Sequence, residues 1–259
     1  MKQQAVVAEQ FGSAANTYLT SAVHAHGADL KTLQEIARSY FSPRVLDLGC
    51  GAGHVSFALA MFSKSVTAFD ISEEMLTVVA NASKDRNLKN IQTQQGSAEL
   101  LPFEDEAFDM VVMRFSAHHW LDVPAALKEV NRVLRPAGVA IIIDIVAPEV
   151  PLHDTTLQAV ELLRDASHVR DYRISEWSAM LTAAAFTHEC SKDWKLEMKF
   201  EEWIARMRTP VERVQAIRAL FDSAPDETSS YFAVQEDYSF EIDAAFFKAV
   251  KTGAAPSRT

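Results

Sequence analysis

Residues able to do chemistry recur at one kind of place in this chain, just after short apolar runs. The segment Asp47-Leu48-Gly49-Cys50-Gly51-Ala52-Gly53 sets glycines at alternate positions between an apolar run and a helical pattern. Such glycines supply positive φ angles and let a ligand touch the backbone, while the helix start offers unpaired N–H groups to an accepting or negative group. A glycine pair alone reads as a structural turn; three alternate glycines beside an acidic residue point to a ligand. Asp70 ends the next apolar run, Ser97 and Ala98 follow the third, and Arg114 to His119 follow the fourth. Open α/β sheets bind ligands outside the carboxyl ends of their strands, so all of these residues converge on one crevice.

Ser116-Ala117-His118-His119-Trp120 adds two groups that titrate near neutrality and suit a general base. Either histidine could instead shape the pocket or bond to backbone; His119 is preferred because Trp120 beside it suggests a partly buried setting. No Cys/His cluster accompanies the pair, so no metal is expected.

The elements that must position these groups follow from periodicity. Helical spacing over 28–40 ends at Pro43, and Val45 to Leu48 then reads as a strand buried on both faces. The alternation continues with a helix at 55–62, a strand at 65–70 and a helix at 72–85. Ser72 caps the latter, with Glu73 and Glu74 in its positive first turn. Strands at 91–95, 108–113 and 139–146 follow, the last two separated by a helix at 122–134 that has Pro124 in its first turn and stops at Pro136-Ala137-Gly138. Beyond residue 147, helices are expected at 152–165, 175–185, 201–208, 210–221 and 225–234, and closing strands at 187–199 and 241–250. The fold class is therefore α/β: a doubly wound, mostly parallel, seven-stranded sheet with an inserted helical cap.

Composition sets outer bounds. The 259 residues, 48% hydrophobic and 23% charged, suffice for one α/β domain with residues to spare. A formal net charge of -10 argues against nucleic acid, whose phosphates need a basic partner. Two distant cysteines, Cys50 and Cys190, and no apolar leader after Met1 and Lys2 suggest a reduced, cytoplasmic protein, and no apolar run is long enough to span a membrane.

Dinucleotide binding competes for the glycine turn. Its Gly-x-Gly-x-x-Gly fingerprint requires a glycine at His54 counting from Gly49, or at Ser56 counting from Gly51, and neither register is met. The turn instead resembles the first motif of the class I S-adenosylmethionine-dependent methyltransferases. The resemblance continues at Asp70, in Gly96-Ser97-Ala98-Glu99-Leu100-Leu101-Pro102-Phe103, at Phe108-Asp109, and from Ala126 to Pro136, covering roughly residues 40–147 in order. Within that family the chain looks like the small-molecule branch that includes quinone C-methyltransferases. It is most similar to bacterial members with a His-His pair after the fourth strand and an Arg-Asp-x-Ser-His-Val-Arg segment, here His118-His119 and Arg164 to Arg170.

The resemblance implies S-adenosylmethionine as cofactor. Asp47, Gly49, Gly51 and Gly53 would hold its methionine part, Asp70 its ribose hydroxyls, Ile71 one face of the adenine and Ser97 and Ala98 its edge, with Arg114 nearby. Two positions depart from the family: Ser97 stands where aspartate is common, and Ala137 where glycine is common. The segment Phe11 to Tyr18 resembles a lead-in that closes over the cofactor and brings Tyr18 to the acceptor, so 1–40 is expected as an N-terminal helical lid. The methyltransferase domain would fill 41–259, with 148–186 and 200–236 as cap helices.

Methyl transfer is an in-line displacement in which orientation alone can supply about 7–11 kcal/mol, against roughly 10²–10⁴-fold from a general base. His119 and His118 are the catalytic candidates. His168 and Arg170 are expected to line the acceptor pocket beside Tyr18, since arginine pairs with anionic groups; ion pairing with Glu161 and Asp165 is the plainer role for arginines there. The expected reaction is methyl transfer to a small-molecule acceptor, with the clustered arginines pointing to an anionic one. Methylation of a malonyl group on an acyl carrier protein, or cofactor binding without catalysis, are the alternatives.

Overall fold

The computed structural model describes residues 2–12 and 27–252. Its sheet joins β1 (Arg44–Leu48), β2 (Ser65–Asp70), β3 (Ile91–Gln95), β4 (Phe108–Arg114) and β5 (Leu134–Ala147) in parallel. β8 (Phe240–Lys251) then runs antiparallel to both β5 and β7 (Phe186–Met198), giving the spatial order β3-β2-β1-β4-β5-β8-β7. These are the seven strands the periodicity predicts. An eighth, β6 (Tyr172–Arg173), pairs with Val146 and Ala147 of β5, past the point where β4 has left that edge. The substitution of β6 for β4 along one edge brings the chain around residue 170 against the turn after β4.

Both faces of the central strands are buried, as continuous apolar strands require, while β3 and β7 are largely exposed at the edges. On one side Leu46, Val111 and Ile142 pack with Ala126, Leu127 and Val130 of α5 (Val123–Val133) and with Trp177 and Leu181 of α7 (Ile174–Ala183). On the other, Val45, Met110, Val112 and Ile141 meet Leu33 of α2 (Ala28–Ser39) and Leu59 of α3 (His54–Ala60). Ser72 caps α4 (Glu73–Asp85) through the Met75 amide, and Asp122 caps α5 through that of Ala125.

A third cluster lies off the sheet. Leu157 and Val160 of α6 (Pro151–Arg164), Phe200 and Trp203 of α8 (Phe200–Met207) and Ile217 and Phe221 of α9 (Val211–Asp222) close over Phe240 and Ile242, with the short α10 (Asp226–Tyr231) alongside. This is the cap. α7, expected within it over 148–186, packs as a sheet helix instead, because Trp177 and Leu181 face the strands.

One expected boundary moves. The sequence pattern of Pro136-Ala137-Gly138 predicts the stop of a helix, but α5 ends at Val133 and the three residues lie within β5, at a register irregularity opposite Phe108 to Met110. Ala137 there takes φ 59°, the left-handed region, which accounts for glycine being the common residue at that position. Among the described residues no helix is long and apolar enough to cross a membrane.

Candidate active site

Two cavities meet at the carboxyl ends of the strands. The smaller, about 150 Å³, is built from the sequence-predicted turn. Asp47 at the end of β1 is buried, and its Oδ2 accepts the Ser56 amide and hydroxyl at 2.9 and 2.7 Å, locking the turn onto α3. Burial raises the Asp47 pKa to about 7 against the lowering effect of those bonds. Gly49 has φ 73° and lies so close to Ser116 that a Cβ would come within 2.6 Å of it, so glycine is required twice over. Gly51, with φ 48°, is different: a Cβ there would meet nothing within 4 Å, so this backbone faces the cavity. Gly53 supplies the left-handed residue before α3.

Asp70 ends β2 with its Oδ2 accepting the Gly51 amide at 2.8 Å and its Oδ1 the Ser72 amide at 2.9 Å; burial raises its pKa. The carboxylate thus fixes the turn and still lines the cavity, together with Ile71, Ser97 and Ala98. Ser97 is bonded to Glu99 and receives Gln4 Nε2 from α1 (Gln3–Gly12) at 3.1 Å. α1 also reaches the Ser167 carbonyl through Gln3, at 2.6 Å, so it straps the smaller cavity to the segment before β6.

The larger cavity, about 490 Å³, lies between the strand ends and the cap, with Trp194, Trp203, Met198 and Phe246 among its apolar walls. Phe11, Arg114, Phe115 and His119 line both cavities and form the partition between them. Arg114 is held by Asp29 of α2 in a buried ion pair. Phe115 takes φ 51°, a strained angle for a bulky residue that costs on the order of 1 kcal/mol or more, and its amide is tied to the Ile143 carbonyl.

His118 and His119 occupy a single 3-10 turn, with ring centroids 4.2 Å apart. Nδ1 of His118 lies 2.6 Å from Asp144, a carboxylate in the middle of β5 that also accepts the Ala117 amide. Nδ1 of His119 lies 3.2 Å from the Ser167 carbonyl, and Phe11 meets its ring edge-on. Asp144, Ser167 and Asp29 are the partners that sequence reasoning missed. Only Asp144 left a signal, as a lone carboxylate inside an apolar strand.

His168 and Arg170 do not line either cavity, contrary to expectation. His168 is buried with Nε2 on Gln158 of α6 at 3.1 Å, and burial pushes its pKa well down. Arg170 is turned to Asp154 and Glu176, each at 3.3 Å. Their segment instead serves the histidines through its backbone, since the amides of Val169 and Arg170 both bond the His118 carbonyl. Arg164 pairs with Glu161, the plainer role foreseen for it, and Asp171 presents a buried Oδ2 at the larger cavity that lies 3.8 Å from His168 Nε2 and accepts no hydrogen bond. Tyr18 lies outside the described residues. Among those described, no group of three His, Cys, Asp or Glu side chains is placed to hold a metal.

Known proteins resemble both the cofactor half and the whole. A family model for a methyltransferase domain matches residues 46–142. The chain is 48% identical over 195 residues to the uncharacterized protein YafE of Escherichia coli, covering 75% of this chain and 94% of that one. It is 34% identical over 246 residues to the uncharacterized methyltransferase YcgJ of Bacillus subtilis, covering 93% and 97%. The crystal structure of YcgJ superposes with a TM-score of 0.85 over 88% of this chain and 100% of that one. Demethylmenaquinone methyltransferase of Staphylococcus carnosus is 39% identical over 112 residues, 42% of this chain and 46% of that one. Likeness that runs through cap as well as sheet shows that the chain belongs to the class I S-adenosylmethionine-dependent methyltransferases and takes S-adenosylmethionine as its methyl donor.

Proposed function

We propose that this enzyme methylates a small-molecule acceptor seated in the larger cavity, with S-adenosylmethionine in the smaller one. The residues of the smaller cavity fit that cofactor. Gly51 leaves its backbone open to the cavity, Asp70 offers a half-buried carboxylate to ribose hydroxyls, and Ile71 and Ala98 give apolar contact for a base. Asp47 and Gly49 then fall to the methionine part. When bound, the cofactor supplies a methyl group made electrophilic by its sulfonium.

The observation that carries the reading is the shared partition. An acceptor and a methyl donor must approach within bonding reach with water excluded, and Phe11, Phe115 and His119 are, with the ion-paired Arg114, the groups common to both chambers. His119 has its Nδ1 against the Ser167 carbonyl, which can only accept, and against the Ser167 hydroxyl, whose own proton goes to Asp165, so the proton resides on Nδ1 and Nε2 keeps a lone pair. That lone pair is the base for an acceptor that must lose a proton. The aromatic and thioether walls of the larger cavity suit an apolar or planar acceptor.

The test uses methyl-labelled S-adenosylmethionine with a protein-free bacterial small-molecule extract. The wild type transfers label to a low-mass product, and His119→Ala, which keeps its affinity for the cofactor, does not. Label found only on protein would contradict the assignment.

A further inference from the structure

The two neighbouring histidines are anchored in opposite senses. Asp144 accepts from the amides of Ala117 and Ile145, each at 2.9 Å, as well as from His118, so all its hydrogen bonds come from donors. Nδ1 of His118 therefore carries a proton. Burial works against a charged ring there, but Asp144 outweighs it, and Asp171 and Glu161 add to its effect, raising the pKa to about 9. At neutral pH His118 is a cation whose Nε2–H is a donor. His119 is held well below its ordinary value by burial and by the charge on His118, and its Nε2 is an acceptor. Among the described residues neither Nε2 has a hydrogen-bond partner, and neither is a fully buried orphan, so each keeps accessible surface. Both rings line the larger cavity.

Resting on the reading of that cavity as the acceptor site, we infer that His118, braced by Asp144, holds the oxygen of an acceptor that ionises at an O–H group, a phenol or an enol. A donor next to a base is what such a group needs. The acceptor proton leaves by way of Nε2 of His119, which cannot keep it beside the His118 cation and passes it on to water, and the negative charge left on oxygen is met by Nε2–H of His118. The freed electron pair, on oxygen or on a conjugated carbon, forms the bond to the methyl carbon. The carbon–sulfur bond breaks with its electrons returning to sulfur. A protonated amine is repelled by the His118 cation, and a carboxylate has no use for the lone pair of His119, so neither engages both rings. Other groups facing His118 are Asp171 before β6, Glu161 of α6 and the neutral His168, and none of them is a competing cation.

The probe is p-nitrophenol, read by its phenolate absorbance and titrated into the full chain without cofactor, below the pKa of the free probe. The wild type raises the phenolate fraction of bound probe about 10-fold, one pKa unit. His118→Asn, which keeps a donor toward Asp144, and Asp144→Asn still bind the probe but lose that shift. Nitrogen-15 shifts of the free chain give a second reading: His118 protonated on both nitrogens at neutral pH and His119 on Nδ1 alone. Probe bound by the wild type without change in ionisation, or His118 found neutral, overturns the inference and leaves the acceptor cavity standing. No binding, or binding undisturbed by Leu196→Trp, which fills the larger cavity, overturns the cavity reading and the inference together.

Discussion

The two cavities of this enzyme are made in different ways. The smaller is made of backbone: a strand end, three left-handed glycines and a carboxylate that bonds the glycine amide opposite it. The larger is made of side chains from distant parts of the chain, with β7 adding most and β5, β8, α6 and α8 adding the rest. A backbone site tolerates almost no change at its glycines and much elsewhere. A side-chain site can be refitted residue by residue, which is how one methyl donor can serve many acceptors on the same sheet.

The contrast can be broken most severely at the partition. His119→Ala should lower kcat by about 10²–10⁴-fold, or roughly 3–5 kcal/mol of barrier, while cofactor affinity measured by calorimetry stays within about 3-fold. An equal loss of cofactor affinity would mean that His119 belongs to the smaller cavity alone.

Gly51→Val tests the other side. The new side chain enters the cavity from a φ that valine resists, so cofactor affinity should fall at least about 100-fold, near 2.8 kcal/mol, with the circular dichroism spectrum unchanged. Retained affinity would show that the open backbone at Gly51 is not where the cofactor lies.

His118 predicts a pH dependence of stability. Its folded pKa is raised to about 9 from an ordinary 6.5, so its contribution is complete below pH 6.5 and is lost as pH rises through 9. Up to about 3 kcal/mol of unfolding free energy is at stake, and denaturant melts of His118→Asn should lack that alkaline slope. His119 and His168 carry the opposite sign: their pKa values are lowered, so their contributions are present above their ordinary value and are lost toward acid.

The smallest effect is expected at Arg170. It lines neither cavity and its partners Asp154 and Glu176 leave it about a third exposed, so Arg170→Ala should cost about 1 kcal/mol or less in a thermal melt. Acceptor KM should stay within about 2-fold. A large rise in KM would restore Arg170 to the acceptor site.

Legibility in the sequence follows the same division. Asp47, the glycine turn, Asp70, Ser97 and Ala98 are readable because each sits at a strand end whose position the apolar alternation determines. The strands themselves are readable for the same reason, and Ser72 announces its helix locally. Pro136-Ala137-Gly138 misleads because the residues that end a helix also serve an irregular strand, and only the pairing of Leu134 with Phe108 decides between them. For the larger cavity no local signal exists. His168 and Arg170 are the right types in the right neighbourhood, but Gln158, Asp154 and Glu176 claim their side chains and leave only their backbone for the histidine turn. The ion pair of Arg114 with Asp29 spans 85 positions and nothing at either residue advertises it.

The central claim is that the methyl group is delivered across the partition formed by Phe11, Phe115 and His119. A crystal structure of the enzyme with S-adenosylmethionine tests it directly. The predicted result is the ribose on Asp70 and the methyl carbon directed between His119 and Phe115 into the larger cavity; a methyl group directed to solvent, or walled off from that cavity, would contradict it.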